Sequence, residues 1–291
     1  MTLDHHVGAL TIERLAPADL AEAFAFLDGD SVLNVYLLAL VLRDALSRPF
    51  DEFWGVRRDG HVVAMLHLGA QTGAVLPVGE EPRALALMAE RVVARRRVLP
   101  HRFQVIGPRT AVRAVVARLA QEALTPRLDR NQVYMALARG ELPPFARLPA
   151  LRCAGPDDFD RVHESGALLR AEELDEDPRL ADPAGYSKRV DEECRGGHTY
   201  LWLDRHGLCF RASISAFTPD AAQVSGVFTP PVRRGKGKAT RALSELCTRL
   251  FERTRHVCLF VNEFNSPALA VYRRLGFRDV KAWASAFYDV R

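Results

Sequence analysis

The stretch Val227-Phe228-Thr229-Pro230-Pro231-Val232-Arg233-Arg234-Gly235-Lys236-Gly237-Lys238-Ala239-Thr240 decides how the second half of this chain is read. A short apolar strand ends in two prolines, a basic glycine-rich turn follows, and a long helix is predicted over Arg234 to Arg253. Its residues Leu243, Leu246, Leu250 and Phe251 recur at helical spacing. Consecutive main-chain amides at a helix start form a cradle for an anion, and the helix dipole adds to it. Gly235 and Gly237 carry no Cβ, so a phosphate can approach the main chain closely. Arg234, Lys236 and Lys238 bring positive charge to the same turn. A Walker loop would need GxxxxGK followed by Ser or Thr, and a dinucleotide fold would need GxGxxG; Gly235-Lys236-Gly237 lacks the third glycine.

Downstream lies Asn265-Ser266-Pro267-Ala268-Leu269-Ala270-Val271-Tyr272-Arg273-Arg274-Leu275-Gly276-Phe277. Tyr272 follows Asn265 by about two helical turns, Gly276 is placed to end the helix, and Phe277 to start the next strand. The plain structural readings are a helix cap for Asn265 and a core tyrosine for Tyr272.

Taken together these segments resemble the GNAT superfamily of N-acetyltransferases. Arg234 to Ala239 matches its pyrophosphate loop, Gln/Arg-x-x-Gly-x-Gly/Ala, and Asn265 to Phe277 matches Asn-x-x-Ala-x-x-x-Tyr-x-x-x-Gly-Phe at every fixed position. The resemblance implies acetyl-CoA as co-substrate, held by Val227, Phe228, Thr229, Arg234, Gly235, Lys236, Gly237, Lys238, Ala239, Thr240, Asn265, Ala268 and Tyr272. It implies direct attack by an acceptor amine in a ternary complex, with Tyr272 as general acid toward the departing thiolate. Main-chain groups of Val227 to Thr229 would hold the pantetheine and polarise the carbonyl.

The general base stays open. Many relatives carry a glutamate on the strand before the loop, whereas Gln223 to Thr229 has no carboxylate. A water relay, Glu172, Glu173 and Glu263 are the alternatives, and proximity suffices if the amine arrives neutral. Glu172 and Glu173 open the acidic run to Asp177, read either as the wall of a cationic-amine site or as a solvated helix end. Asp191, Glu192 and Glu193 read the same way, and His198 reads as a base or, by preference, as a structural histidine at a strand start.

The first half repeats the order β-α-α-β-β-β-α-β-α-β, which predicts a tandem duplication: two α/β (α+β) domains, each a mixed, mostly antiparallel sheet flanked by helices. Residues 1–140 form the first, the proline-rich stretch 141–147 a linker, and 148–291 the acetyltransferase domain. Within the first half, a helix is predicted over Asn34 to Leu46 and a hairpin turn at Asp59-Gly60. Trp54-Gly55, Gly69-Ala70 and Val105-Ile106-Gly107-Pro108 resemble two-part GNAT proteins whose N-terminal half is a domain of unknown function. Its counterpart of the loop, Val75 to Pro82, offers Glu80 and Glu81 where an anion needs donors. Gly107-Pro108-Arg109-Thr110 lacks the Asn-to-Tyr pattern, so no CoA site is expected there.

Forty basic against thirty-six acidic residues leave a net charge of +4, too little to argue for a nucleic-acid partner. No metal site is expected, since the five cysteines form no CxxC pair and read as free, mostly buried thiols. The opening Met1 to Leu10 lacks the pattern of a secretory signal, and the apolar run Val35 to Leu42 is far short of the ~20 residues that span a bilayer. These features predict a cytoplasmic protein without membrane partners. The acceptor is a small-molecule amine or a peptide or protein amine; homodimer formation is left open. Rival readings are a CoA-binding regulatory protein without catalysis and an aminoacyl- or longer-acyl transferase on the same fold.

Overall fold

In the computed structural model, which describes residues 8–290, the alternating apolar segments become sheets covered by helices. Most of the opening stretch used to argue against a secretory signal lies outside those residues. The elements are β1 (Leu10–Arg14), α1 (Leu20–Asp28), α2 (Val35–Val41), β2 (Asp51–Arg58), β3 (His61–Gly69), β4 (Ala74–Val78), α3 (Pro82–Arg95), β5 (Arg102–Pro108), α4 (Arg109–Gln121) and β6 (Leu128–Ala138). There follow β7 (Leu151–Cys153), α5 (Phe159–Leu174), α6 (Pro178–Ala181), α7 (Pro183–Gly196), β8 (Thr199–Asp204), β9 (Gly207–Phe217), β10 (Ala221–Phe228), α8 (Lys238–Leu250), β11 (His256–Asn262), α9 (Ser266–Arg274) and β12 (Arg278–Asp289). They fall into two compact units, residues 8–134 with 280–290, and residues 135–279.

In the first unit the strand order is β1-β2-β3-β4-β5-β12-β6. All registered neighbours are antiparallel except β4 and β5. Asp59 (φ 50°) and Gly60 (φ 85°) turn the β2–β3 hairpin, both left-handed as a type I′ turn requires. Alternation along β3 sends Ala64, Leu66 and Leu68 into the core under α3 and α4, and Met65 into the core under α1 and α2. The predicted helix Asn34 to Leu46 is shorter in the structure: α2 stops at Val41, and Asp44 adopts a left-handed φ of 60° that no helix continues through.

The last strand belongs to this first unit, whereas the sequence grouped it with the second half. Its register runs from Trp283↔Pro108 to Asp289↔Arg102 against β5. Ala284, Ala286 and Tyr288 are buried there, and Tyr288 stacks on Phe103 at 4.6 Å. The alternating small and aromatic residues of β12 fit the face that β5 presents, a match that lies between strands far apart in sequence.

In the second unit the order is β11-β10-β9-β8-β7, with β10 and β11 parallel and the other pairs antiparallel. Helices α5 and α7 cover one core around Val162, Ala167, Tyr186, Val190 and Leu201. Helix α8 buries Leu243, Leu246 and Leu250, as its periodicity predicts. It begins at Lys238 rather than Arg234, because Gly235 (φ 73°) and Gly237 (φ 68°) take left-handed conformations that hold the loop outside the helix. Glu245 of α8, almost fully buried, accepts from Arg147, Arg249 and the amide of Leu148, fixing the incoming chain. The short α6, capped by Asp177 and opened by Pro178, was not anticipated. Among the described residues no helix is long and apolar enough to cross a membrane. Four of the five thiols are buried and Cys153 is exposed.

Candidate functional site

The parallel register of β10 and β11 covers only Ala221↔His256, Ala222↔Val257 and Gln223↔Cys258, although β10 runs on to Phe228 and β11 to Asn262. On its other edge β10 leaves the ladder too: Ser225 pairs with Ser213 and Phe228 with Arg211, three steps on β10 against two on β9. That bulge is built on Gly226, whose φ of 59° suits glycine. Main-chain groups around Gly226 and Val227 are thereby released from the sheet.

The chain then enters the cradle. Pro231–Arg233 forms one 3-10 turn, and Gly237 caps α8. Arg241 donates to the Gly237 carbonyl, but among the described residues no amide from Gly235 to Thr240 has a main-chain partner. A Cβ built on Gly235 or Gly237 would meet nothing within 4 Å, so both face open space. Just before the loop, the hydroxyl Oγ1 of Thr229 is buried without a hydrogen-bond partner. Six unpartnered amides, open space beside two glycines and an orphaned hydroxyl suit a polyanion with a polar tail.

The basic side chains divide. Arg234 donates to the Thr229 carbonyl and to both carboxylate oxygens of Glu172. Lys236 bends back to the Val232 carbonyl at 3.2 Å. Lys238 faces the strands: its ammonium lies 3.2 Å from Asp204 Oδ2, 3.2 Å from Cys209 Sγ and 4.4 Å over the Trp202 ring. Lys238 therefore offers the cradle its amide rather than its charge. Arg233 also pairs with Asp204. The Asp204 carboxyl is held below its ordinary range by hydrogen bonds, first from Cys209 and then from the His206 amide.

Across the site, Asn265 caps α9 by accepting from the Ala268 amide at 3.2 Å, the structural role its position suggested. Tyr272 is 6% exposed, and its hydroxyl has no hydrogen-bond partner among the described residues. Burial, and then the charge of Glu173, push its phenol well above the usual value. Gly276 (φ 93°) ends α9 as expected.

Glu173 lies near the end of α5. Its carboxyl is pushed up to about 7, first by burial, then by the neighbouring charge of Glu172, with Arg170 opposing. The side chain is nonetheless exposed, so solvent softens the shift. Leu169, four residues earlier, sits 3.9 Å from where a Cβ on Gly226 would lie, which sets this end of α5 over the bulge of β10. The structure thus brings Glu172, Glu173, Arg234 and Tyr272 around one site. Glu193 is taken up elsewhere, by buried Arg211, Ser213 and Thr199. His198 is exposed at the entry to β8, and Glu263 is exposed beyond β11.

Sequence reasoning missed Arg170. It stands three residues before Glu173, on the same side of α5, and that spacing was the available signal. Among the described residues there is no group of three or more His, Cys, Asp or Glu placed to hold a metal ion.

In the first unit the corresponding place is built differently. Pro82 opens α3, with Glu81 at its cap; Glu80 pairs with Lys281 and Glu81 with Arg58. The registered pairs of β4 and β5 also stop early, at Val75↔Val105, but beyond them the strands stay close: a Cβ on Gly107 of β5 would lie 2.9 Å from the Pro77 carbonyl of β4.

Comparison with known proteins agrees with this architecture. Residues 51–162 match a domain of unknown function (DUF4081), and residues 207–287 match the FR47-like protein family. Among solved structures, the chain is similar to a GCN5-related N-acetyltransferase from Sphaerobacter thermophilus, at 18% identity over 97% of this chain and 96% of that one, with a TM-score of 0.58. A Drosophila protein aligns at 12% identity over 96% and 99% of the two chains, with a TM-score of 0.66. A tandem GNAT protein from the clavulanic acid biosynthesis pathway aligns at 16% identity over 97% and 98%, with a TM-score of 0.55. No curated protein matches. The chain therefore has the GNAT fold in tandem. The DUF4081 match covers most of the first unit and continues into the second as far as residue 162, and the FR47-like match covers the cradle and runs on into β12.

Proposed function

We propose that the second unit is an acetyl-CoA-dependent N-acetyltransferase that passes an acetyl group to a primary amine, on a small molecule or a peptide, by direct attack in a ternary complex. The observation that carries this reading is the row of six unpartnered amides from Gly235 to Thr240, opening beside the parted strands β10 and β11. Those amides, with Arg234 and the Thr229 hydroxyl, would hold the pyrophosphate and the start of the pantetheine. The freed main chain at Gly226 and Val227 would face the thioester carbonyl, and Asn265 and Ala268 would border the arm. The bound thioester supplies an electrophilic carbonyl.

Glu173 takes the proton that the amine loses as its nitrogen–carbon bond forms. With its carboxyl near 7 it is substantially ionised at neutral pH and still basic enough to accept. Tyr272 holds its proton firmly, and the negative charge of Glu173 contributes to that. Once Glu173 is protonated that contribution disappears, and Tyr272 becomes the better donor to the sulfur as the carbon–sulfur bond breaks. The two groups act as a coupled acid–base pair. The first unit supports no second CoA site in this reading, since its strands are close and carboxylates stand at the start of α3. The four buried thiols fit a reducing compartment, the cytoplasm.

Release of CoA thiol from acetyl-CoA, followed with a panel of primary amines, tests this reading. Amine-dependent release that drops in Tyr272→Phe supports it; a folded chain that binds acetyl-CoA yet releases no thiol with any amine contradicts it.

A further inference from the structure

The same helix carries a cation that the proposed transfer does not use. Arg170 lies on α5 between Gly166 and Glu173, on the side facing α7: a Cβ on Gly166 would sit 2.6 Å from the Tyr186 hydroxyl and 2.7 Å from Arg211 Nη1. Its surroundings include Arg189 and Tyr186 of α7, together with Glu173 and Glu176. Yet among the described residues no carboxylate lies within ion-pair distance of Arg170, while Arg189, Arg179 and Arg234 each have one. Arg170 is exposed to solvent, but packed surroundings and the charge of Arg189 push its guanidinium below its ordinary value. Glu176 and Glu173 act on it only from beyond ion-pair distance, and an arginine without an ion pair beside a second arginine is a site for an anion.

One helical turn further lies Glu173, and beyond it the unpartnered hydroxyl of Tyr272, 6% exposed. Cation and carboxylate thus sit on one helix at i, i+3 spacing, and Leu169 beside Arg170 meets the bulge at Gly226. A ligand reaching both would be positive at the end near Glu173 and negative at the end near Arg170.

We propose that the acceptor is a primary amine that also carries an oxyanion, a carboxylate or a phosphate, with Arg170 binding the oxyanion and Glu173 receiving the amine. The inference rests on the transferase reading and names its substrate class. A diamine or polyamine is disfavoured, because its second ammonium would meet Arg170 and Arg189. A plain alkylamine would leave Arg170 without a partner in a crowded site, and so would gain less.

The test is a matched series offered to the full chain with acetyl-CoA: γ-aminobutyrate, 3-aminopropyl phosphate, n-butylamine and putrescine. Thiol release is measured for each, and in parallel the binding of each amine to the CoA-loaded protein, which needs no turnover. We expect the two anionic amines to exceed butylamine and putrescine about tenfold or more, the reach of a charge-assisted hydrogen bond. Whichever of the two leads identifies the oxyanion. In Arg170→Met that preference should collapse through KM, and Arg170→Lys should restore part of it.

Equal use of butylamine, preference for putrescine, or an unchanged preference in Arg170→Met overturns the assignment. So does binding of none of the four. Titration of acetyl-CoA, run on the same samples, separates the two failures: tight acetyl-CoA binding without anionic preference removes only the acceptor class, whereas loss of acetyl-CoA binding removes the transferase reading.

Discussion

Arg234 of the cradle is tied to Glu172 of α5: its Nη2 lies 2.9 Å from Oε1 and 2.7 Å from Oε2, while its Nε holds the Thr229 carbonyl at 2.9 Å. The arginine that would meet a pyrophosphate is thus paired with the end of α5, which in the proposed reading walls the acceptor site. Binding of acetyl-CoA in that reading would exchange one anion for another at Arg234. Both side chains are nearly half exposed, so the pair itself contributes little.

Removing the competing carboxylate should therefore help the cofactor. In Glu172→Gln we expect acetyl-CoA to bind more tightly, by no more than about fivefold, the reach of one exposed ion pair. Arg234→Gln should weaken it. Titration of both variants checks the pairing; weaker binding in Glu172→Gln would show that Glu172 supports the cofactor instead of competing with it.

The proposed acid–base pair, Glu173 and Tyr272, predicts a pH profile. The base must be ionised, so kcat/KM in the wild type should rise with pH through about 7. In Glu173→Gln that limb should vanish and kcat fall by about 10²–10⁴, the usual contribution of a general base. A wild-type profile that keeps its acidic limb after the substitution would assign the base to another group. Tyr272→Phe should lower kcat with little change in KM, as for a group acting mainly in the transition state.

Stability at low pH should report Glu245. Its carboxyl is held down to about 2, first by the hydrogen bond from Arg147, with the Leu148 amide and Arg249 adding to it. The folded value is below the unfolded one of about 4.3, so the stabilisation is complete above that pH and is lost as pH falls toward 2. Asp158, held to about 2 chiefly by Arg152, acts in the same window and direction. Glu245→Ala leaves the buried Leu148 amide unpartnered and should cost about 1–3 kcal/mol, with a flatter acid limb in denaturant unfolding. An unchanged acid limb would remove Glu245 from this role.

Gly276 is needed for shape. At a φ of 93°, an added Cβ would lie 2.9 Å from the Glu141 carbonyl. Gly276→Ala should cost about 1–3 kcal/mol in thermal unfolding, and wild-type stability in that variant would mean the turn relaxes freely.

The cradle, α9 and the tandem order were legible because each rests on local rules: glycines at left-handed positions, a cap three residues before its amide, apolar spacing. Gly237 and Asn265 could be read from their neighbours alone. The end of α2 was not, since Asp44 is an ordinary helix residue until tertiary structure forces its φ positive. The placement of β12 was not, because the fit of Tyr288 on Phe103 joins segments far apart in sequence. Lys238 read as charge for the loop, but burying its stem against Trp202 and pairing it with Asp204 turned it away. Arg170 drew no attention because an isolated arginine on a helix is usually a solvated one; its want of a partner is visible only in three dimensions.

The most direct measurement is calorimetric titration of acetyl-CoA into the wild type and into Gly237→Glu, with thermal unfolding confirming that both are folded. The substitution puts a carboxylate into the open space beside the unpartnered amides. We expect micromolar binding at about one site per chain in the wild type, abolished in the variant, which would assign the site to the second unit. No binding by the folded wild type, or binding that survives Gly237→Glu, would contradict the assignment of the cradle.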